Sequence, residues 1–159
     1  RAINHTILPE VSRLISENRE QDLSPRLSFL LEATIFFTII WAILGFFLLP
    51  PGLKLVFRPE FGITNLEGGL VFMFSGLFLV NSLMTEFLIG LRSEHVVATS
   101  WLLPGFVIVA APLMGTSGMS LIIKIFLLYM VLVALFQLRG LRKAGLDIHF
   151  TGFDYTVFD

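Results

Sequence analysis

The stretch "MSLIIKIFLLYMVLVALFQL", residues Met119 to Leu138, decides the class of fold. An α-helix rises about 1.5 Å per residue, so about 20 apolar residues cross the hydrocarbon core of a bilayer, and this stretch is long enough. One charged residue, Lys124, lies inside it, although an ammonium in hydrocarbon costs about 3 kcal/mol. The stretch therefore predicts a membrane-spanning helix and raises the question of what Lys124 does there.

The composition of the whole chain agrees with a membrane protein. Of its 159 residues, 55% are hydrophobic and 14% are charged, whereas a typical soluble domain has about 25% charged residues. Seventeen Phe against two Tyr and two Trp give an aromatic surface with few polar groups, which suits lipid tails and apolar ligands. The net charge of −1 gives no support to nucleic-acid binding. The absence of Cys excludes disulfides, Cys-type zinc sites and iron–sulfur ligation.

Four apolar segments predict an all-α bundle of four transmembrane helices, with a domain of residues 27–138. Ser24-Pro25 predicts the start of the first segment and Pro50-Pro51 its end. The third segment is the shortest and carries Pro104-Gly105 in its middle, so we expect a kink there. The four segments comprise residues 27–49, 68–91, 96–112 and 119–138.

The two flanks of this bundle have different patterns. In residues 1–26, Pro9-Glu10 predicts a helix start, and apolar residues follow at helical spacing. We expect an amphipathic helix that lies on the bilayer, on its own bundle or on another subunit. Residues 139–159 are first basic and then aromatic, and we expect this tail to pack on its own loops or on a neighbouring protein. The apolar positions of the first flank are Leu8, Val11, Leu14 and Ile15.

The distribution of Lys and Arg predicts the orientation of the chain. Most of the eleven Lys and Arg residues lie in the two flanks and in the short link after the second span. By the positive-inside rule, both termini face the cytoplasm of a bacterium or the equivalent side of an organellar membrane. The opposite side has only Lys54 and Arg58 outside the spans.

Two carboxylates lie within the spans on the side of the termini. Glu32 is about two turns into the first span, and Glu86 is near the end of the second. The simpler interpretation is that they pair with Arg26, Arg92 or His95 at the interface. The alternative is a proton or cation site formed by Glu32 and Glu86, with His95 as a proton-exchanging group. Asn81 and Thr38 are the main polar groups near the middle of the spans. A metal site of Glu32, Glu86 and His95 has less support.

Lys124 lies on the opposite side of the membrane. It is about 7 to 8 Å below the start of its helix, and a lysine can bend outward to the headgroups from that depth. Glu67 precedes the second span on the same side. We therefore expect Lys124 to contact Glu67 or a lipid phosphate.

Catalytic and cofactor motifs are missing from the chain. It has no nucleophile elbow, zinc-protease motif, P-loop or dinucleotide fingerprint. The histidines, at positions 5, 95 and 149, lie outside the hydrocarbon by this topology and offer no facing pair for a haem. His95 alone could be the axial ligand of a haem or chlorophyll. We predict no cofactor of its own, but the apolar surface of the helices could bind lipid, quinone or carotenoid.

The segment "LEGGLVFMFSGLFLV" (Leu66 to Val80), which follows "LLPPGLKLVF" at the end of the first span, resembles the DoxX-like group of small four-helix membrane proteins. The shared features are four spans in about this length, a Gly-Gly-Leu entry to the second helix and a short loop bearing Arg92. The resemblance covers about residues 28 to 138. It implies a four-helix fold and assigns no catalytic residue.

These observations predict a noncatalytic accessory or structural subunit of a larger membrane complex. A respiratory or photosynthetic electron-transfer complex is the expected host, with other membrane subunits and lipids as partners. The first alternative is a small ion-coupled transporter that uses Glu32, Glu86 and Asn81. A membrane enzyme that acts on lipids or quinones is the second.

Overall fold

The computed structural model describes residues 4–17, 19–57, 63–110, 119–146 and 148. Within these ranges every regular element is a helix, as the sequence predicts. The elements are α1 (Asn4–Ser16), a 3₁₀ turn (Glu20–Asp22), α2 (Leu23–Val56), α3 (Asn65–Gly90), α4 (Glu94–Leu102), α5 (Gly105–Ala110) and α6 (Met119–Lys143).

Three of these helices are long and apolar enough to cross a membrane, namely α2, α3 and the segment Leu121–Lys143 of α6. The third predicted span forms two shorter helices, α4 and α5, with a turn at Leu103 and Pro104 between them. Proline has no backbone N–H and its ring clashes with the preceding turn, so a helix breaks or kinks there. The predicted irregularity at Pro104-Gly105 is therefore confirmed.

Helix α2 is longer than the sequence predicts at both ends. It begins at Leu23, with Asp22 as its N-cap, and includes Pro50 and Pro51. The prediction that these prolines end the helix is wrong, because the fixed φ of proline is compatible with a helix even though two backbone hydrogen bonds are lost. The helix closes normally after them, since the N–H of Phe57 donates to the carbonyl of Leu53 at 2.8 Å.

Helix α3 also begins earlier than predicted, because a capping box forms at its start. The Thr64 hydroxyl accepts from the N–H of Glu67, and the Glu67 carboxylate accepts from the N–H of Thr64 at 2.8 Å. These two bonds satisfy N–H groups that a helix start otherwise leaves without partners. The T-x-x-E pattern at residues 64–67 is a sequence signal for this helix start, whereas hydropathy alone predicts a start at Gly68.

The contacts fix the direction of each long helix. Helix α2 runs antiparallel to α3, with Gly45 beside Gly68 and Thr38 beside Gly76. Helix α3 runs parallel to α6, because contacts between them advance in the same order along both chains. The segment between α3 and α6 therefore returns the chain from one end of the helices to the other. We call the end with Leu23, Gly90 and Lys143 the core end, and the end with Val56, Asn65 and Met119 the distal end.

The buried apolar core lies at the core end, where α1, the start of α2, the end of α3 and the end of α6 meet. Val11 and Leu14 of α1 are buried in it, which agrees with the predicted apolar face. After α6, Leu146 and Ile148 are buried in the same core. Its remaining members are Leu23, Leu27, Leu31, Val80, Leu83, Met84, Phe87, Leu88 and Leu141. The aromatic part of the tail, residues 149–159, lies outside the described residues.

Helix α1 differs from its prediction at its start. It begins at Asn4, so Pro9 lies in its second turn and not at its first position. A proline so close to a helix start removes a hydrogen bond from a region where carbonyl groups are accessible to water, so its cost is lower than in the middle of a helix.

Candidate functional site

A buried cluster of polar side chains lies between α3 and α6, in the half of the helices nearer the core end. Asn81 of α3 has no exposed surface. Its Nδ2 donates to the backbone carbonyl of Met130 on α6 at 3.1 Å and lies 3.4 Å from the Met130 sulfur. A carbonyl inside a helix normally accepts a hydrogen bond from an N–H of the same helix, so the bond from Asn81 is a second bond to the Met130 oxygen. It links α3 to α6.

A second buried amide, Gln137 of α6, lies two helical turns beyond Met130 toward the core end and also has no exposed surface. In the amide orientation that satisfies its neighbours, its oxygen accepts from Thr85 Oγ1 at 2.7 Å and from Trp101 Nε1 at 3.2 Å. Its nitrogen donates to the backbone carbonyl of Asn81 at 3.1 Å. Gln137 therefore joins α3, α4 and α6 through one side chain.

The indole of Trp101 closes the side of this cluster that faces α4. The Tyr129 hydroxyl donates to the backbone carbonyl of Trp101 at 2.9 Å. The Trp101 ring lies 6.3 Å from the Tyr129 ring and 6.3 Å from the Phe78 ring, between centroids. We call the six residues Asn81, Thr85, Trp101, Tyr129, Met130 and Gln137 the polar cluster.

One atom of the polar cluster lacks a partner. Asn81 Oδ1 is buried, and no hydrogen bond reaches it from the described part of the chain. An unsatisfied buried acceptor costs about 1–3 kcal/mol. Asn81 Oδ1 can therefore accept a hydrogen bond from a small donor such as water, or coordinate a cation.

Glu32 and Glu86, the predicted carboxylate pair, lie in the core-end halves of α2 and α3, at about the level of the polar cluster. The register of α2 against α3, with Thr38 beside Gly76, places Glu32 within about one helical turn of Glu86 along the helix axes. Both are half-buried. Arg26, one of their predicted partners, donates to Glu10 of α1 at 2.6 Å.

Lys124 and Glu67 both lie toward the distal end, as predicted, and Lys124 is exposed. Glu67 accepts hydrogen bonds from the backbone and the hydroxyl of Thr64 at 2.8 and 2.9 Å. No salt bridge joins Lys124 to Glu67 among the described residues, so their predicted contact is not formed directly. Glu67 serves chiefly to cap α3, since its carboxylate is held by Thr64.

His95, the predicted axial ligand, is exposed in the first turn of α4 and lies outside the polar cluster. Within the described residues, no group of three His, Asp or Glu side chains is arranged to hold a metal ion.

An ionic cluster outside the spans attaches α1 to α2. The Glu10 carboxylate accepts from Arg13 at 2.8 Å and from Arg26 at 2.6 Å. The hydrogen bond from Arg13, together with the positive charges of Arg13 and Arg26, lowers the pKa of Glu10 below its ordinary value. Glu10 therefore stays ionised at neutral pH and links the two helices.

Of the polar cluster, the sequence predicted only Asn81. Thr85 and Gln137 carried a usable signal, because polar residues inside apolar spans usually face other helices. Thr85 also follows Asn81 by four residues and so lies on the same face of α3. Nothing in the sequence indicates that Trp101 and Tyr129 meet them, since this depends on the pairing of α4 with α6. No protein-family model matches the chain, and no similar protein was found among curated proteins or solved structures.

Proposed function

We propose that this chain is a noncatalytic accessory subunit of a larger membrane complex, with four membrane crossings and both termini on one side. The observation that carries the proposal is the surface of α2. This helix packs along α3, and only 17% of its most apolar window is buried. A peripheral subunit requires such a helix, with one side attached to its own fold and the other available to a neighbour.

The uncovered surface of α2 includes a continuous strip of large apolar side chains. We call Phe37, Ile40, Leu44 and Leu48 the outer strip, because their spacing of three or four residues places them on one face. Between 38% and 60% of each is exposed. The Phe37 ring stacks on Trp41 at 5.8 Å, and Trp41 stacks on Phe72 of α3 at 5.0 Å. Large, pre-ordered aromatic groups are favoured at protein interfaces because little entropy is lost on binding.

The fourth crossing is part of this proposal. Because α3 and α6 run parallel, α4 and α5 with the residues that follow them must lead the chain back to the distal end. The apolar segment Glu94–Val109 spans at most about 24 Å as a helix, which is short for a bilayer. A short, broken crossing is tolerated where protein covers its backbone, and α4 and α5 pack on α6.

The host that we propose is an electron-transfer complex, respiratory or photosynthetic. The chain would contribute contacts to other subunits and lipids rather than chemistry. The choice of an electron-transfer host depends on the prediction made from the sequence. The identity of the subunits that purify with the chain tests it directly.

The test is purification from native membranes in mild detergent, followed by native electrophoresis and mass spectrometry. We expect the chain to migrate in a larger complex that contains redox subunits. The double variant Ile40→Ser/Leu44→Ser removes apolar surface from the outer strip and should release the chain. The matched control Ile122→Ser/Leu128→Ser changes two similarly exposed residues of α6 and should stay in the complex. Migration of the wild type as a free monomer contradicts the proposal.

One observation favours a second function, a small ion-coupled transporter. Asn81 Oδ1 is a buried acceptor without a hydrogen-bond donor among the described residues; Glu32 lies at about its level along the helices, and Glu86 lies nearer the core end. The test is ion flux into proteoliposomes. A transporter should lose flux in Asn81→Leu and Glu86→Gln, while Glu94→Gln at the exposed start of α4 should transport normally. No flux above that of empty vesicles excludes this function.

A further inference from the structure

An apolar groove runs between α2 and α3 in the distal half of the molecule, on the flank of α2 away from the outer strip. Its volume is about 490 Å³, which lies within the range of about 300–1,000 Å³ for ligand pockets. Its walls are mainly large apolar side chains of both helices, among them Ile43, Phe46 and Phe47 of α2 and Leu66, Leu70 and Met73 of α3.

Two small residues create the groove. Ala42 and Gly69 form the floor between large neighbours, and a Cβ atom added to Gly69 would meet the Phe46 Cβ at 3.4 Å. The helices therefore approach closely at the floor, and Phe47 of α2 and Met73 of α3 are among the large side chains that line the walls. An open apolar groove between two helices fits a hydrocarbon chain.

The chemistry of the walls restricts the occupant. Thr38 is the only wall residue with a polar side chain, and its hydroxyl donates to the Thr34 carbonyl at 2.8 Å. The groove thus offers almost no group that could bind a quinone ring or a sugar, which require hydrogen-bond partners when buried. A plain acyl chain requires none.

A cation lies beyond the distal end of the groove. Lys54 follows Phe47 by seven residues and Ile43 by eleven, so all three lie on the same side of α2. Lys54 is exposed and is about 10 Å further along the helix than Phe47. An acyl chain in the groove would continue toward the distal surface, where its headgroup phosphate comes within reach of this lysine.

We propose that this groove binds one acyl chain of an anionic phospholipid and that Lys54 binds its phosphate. Glu67 lies near the same end, but its carboxylate is held by Thr64 and faces a different side of α3 from Leu66, Leu70 and Met73. This inference does not depend on the subunit proposal, because the groove and the outer strip share no residue.

The test is native mass spectrometry of the purified protein, delipidated and then titrated with phosphatidylglycerol or phosphatidylcholine of the same chain length. We expect one phosphatidylglycerol to bind, about fivefold more tightly than phosphatidylcholine, the effect of one lysine near an anionic headgroup. Lys54→Gln should bring the two affinities to near equality. Lys143→Gln, at the core end, should leave the preference unchanged.

Filling the groove tests the position of the acyl chain. Met73→Trp should lower the affinity for both lipids at least fivefold. Leu79→Trp adds the same ring at an exposed position of α3 outside the groove and should have no effect. Leu66→Trp, at the exposed mouth, serves as a second blocking variant if Met73→Trp does not fold.

Three results would overturn the inference: no stoichiometric lipid on the wild type, equal binding by the blocking and control variants, or a preference for phosphatidylglycerol that survives Lys54→Gln. A neutral diacylglycerol that binds as tightly as phosphatidylglycerol would also overturn it, because the phosphate would then contribute nothing. Failure of the complex to form in native membranes would affect only the subunit proposal.

Discussion

At the scale of single residues, the backbone of Arg92 is unusual. Its φ of 56° lies in the left-handed region, which costs a residue with a Cβ about 1–2 kcal/mol. The conformation ends α3, since the N–H of Arg92 donates to the carbonyl of Ile89 and that of Ser93 to Leu88. The same kind of turn ends α6, but there glycine occupies the position, Gly145 with a φ of 86°.

The first prediction follows from this difference. Arg92→Gly should stabilise the protein by about 0.5–1 kcal/mol. Glycine relieves the backbone strain at this position, but it also raises the conformational entropy of the unfolded chain, which offsets part of the gain. Arg92→Ala removes the same charge and keeps the strain, so it should give no such gain. Unfolding of both variants in mild detergent, followed by circular dichroism, measures the difference. Equal stability of the two variants would show that the charge and not the conformation matters.

The second prediction concerns pH and Glu10. Its pKa is lower in the folded protein than its ordinary value of 4.5, so its ionised form stabilises the contact of α1 with α2 above that value. The contribution is lost as the pH falls from that ordinary value through the lowered pKa of the folded protein. It should be only a few tenths of a kcal/mol, because the ionic cluster is partly exposed to water.

Hydrogen exchange of α1 measures this contribution. In the wild type, protection of α1 should fall between pH 5 and pH 3 by more than in Glu10→Gln, which has no charge to lose. Glu94→Gln, far from Arg13 and Arg26 in sequence and on α4, should behave like the wild type. An identical pH response in Glu10→Gln and the wild type would show that Glu10 does not hold α1.

At the scale of helices, the sequence was sufficient to identify the long apolar segments but not their ends. The ends depend on local bonds that override composition. The capping box of Thr64 and Glu67 extends α3 toward its start, and α2 continues through Pro50 and Pro51. The break at Pro104 was predictable, because a proline in the middle of an apolar segment removes a backbone N–H and its ring clashes with the preceding turn.

The pairing of α2 with α3 depends on a close approach of two glycines. A Cβ atom on Gly68 would lie 2.6 Å from the backbone oxygen of Gly45, and one on Gly45 would lie 2.7 Å from that of Gly68. Backbone atoms cannot move aside without shifting a whole helix. The third prediction is therefore that Gly68→Ala destabilises the protein by about 1–3 kcal/mol.

Gly52→Ala is the matched control for this prediction. Gly52 also lies in a helix, but nothing lies within 4 Å of an added Cβ atom. Alanine there should stabilise the helix by about 0.5–1 kcal/mol, because glycine is the weaker helix former. Unfolding in detergent measures both variants, and a Gly68→Ala protein as stable as Gly52→Ala would contradict the close packing of α2 and α3.

At the scale of the whole molecule, the sequence predicted the position of each polar residue along its helix better than it predicted the residue's partners. Asn81, Glu32 and Glu86 lie in the core-end halves of their helices, because position along a helix axis follows from position in the sequence. Which residues meet depends on the rotation of each helix, and a uniformly apolar helix such as α2 carries little signal for rotation. For this reason the sequence could not predict that Gln137 bonds to Thr85 and Trp101. Nor could it predict that much of the surface of α2 is uncovered.

The last prediction is the topology, and the absence of Cys makes it directly testable with single cysteine substitutions. Four crossings place Ser12, Ser93 and Ala144 on one side of the membrane and Gly52 and Thr64 on the other. A membrane-impermeant maleimide added to sealed, right-side-out vesicles should label Gly52→Cys and Thr64→Cys, and label Ser12→Cys, Ser93→Cys and Ala144→Cys only after permeabilisation.

Ala144 decides between three and four crossings. If α4 and α5 did not cross, α6 would run in the opposite direction relative to the membrane, and Ala144→Cys would be labelled in intact vesicles together with Gly52→Cys. That result would also contradict the parallel packing of α3 and α6, on which the polar cluster depends.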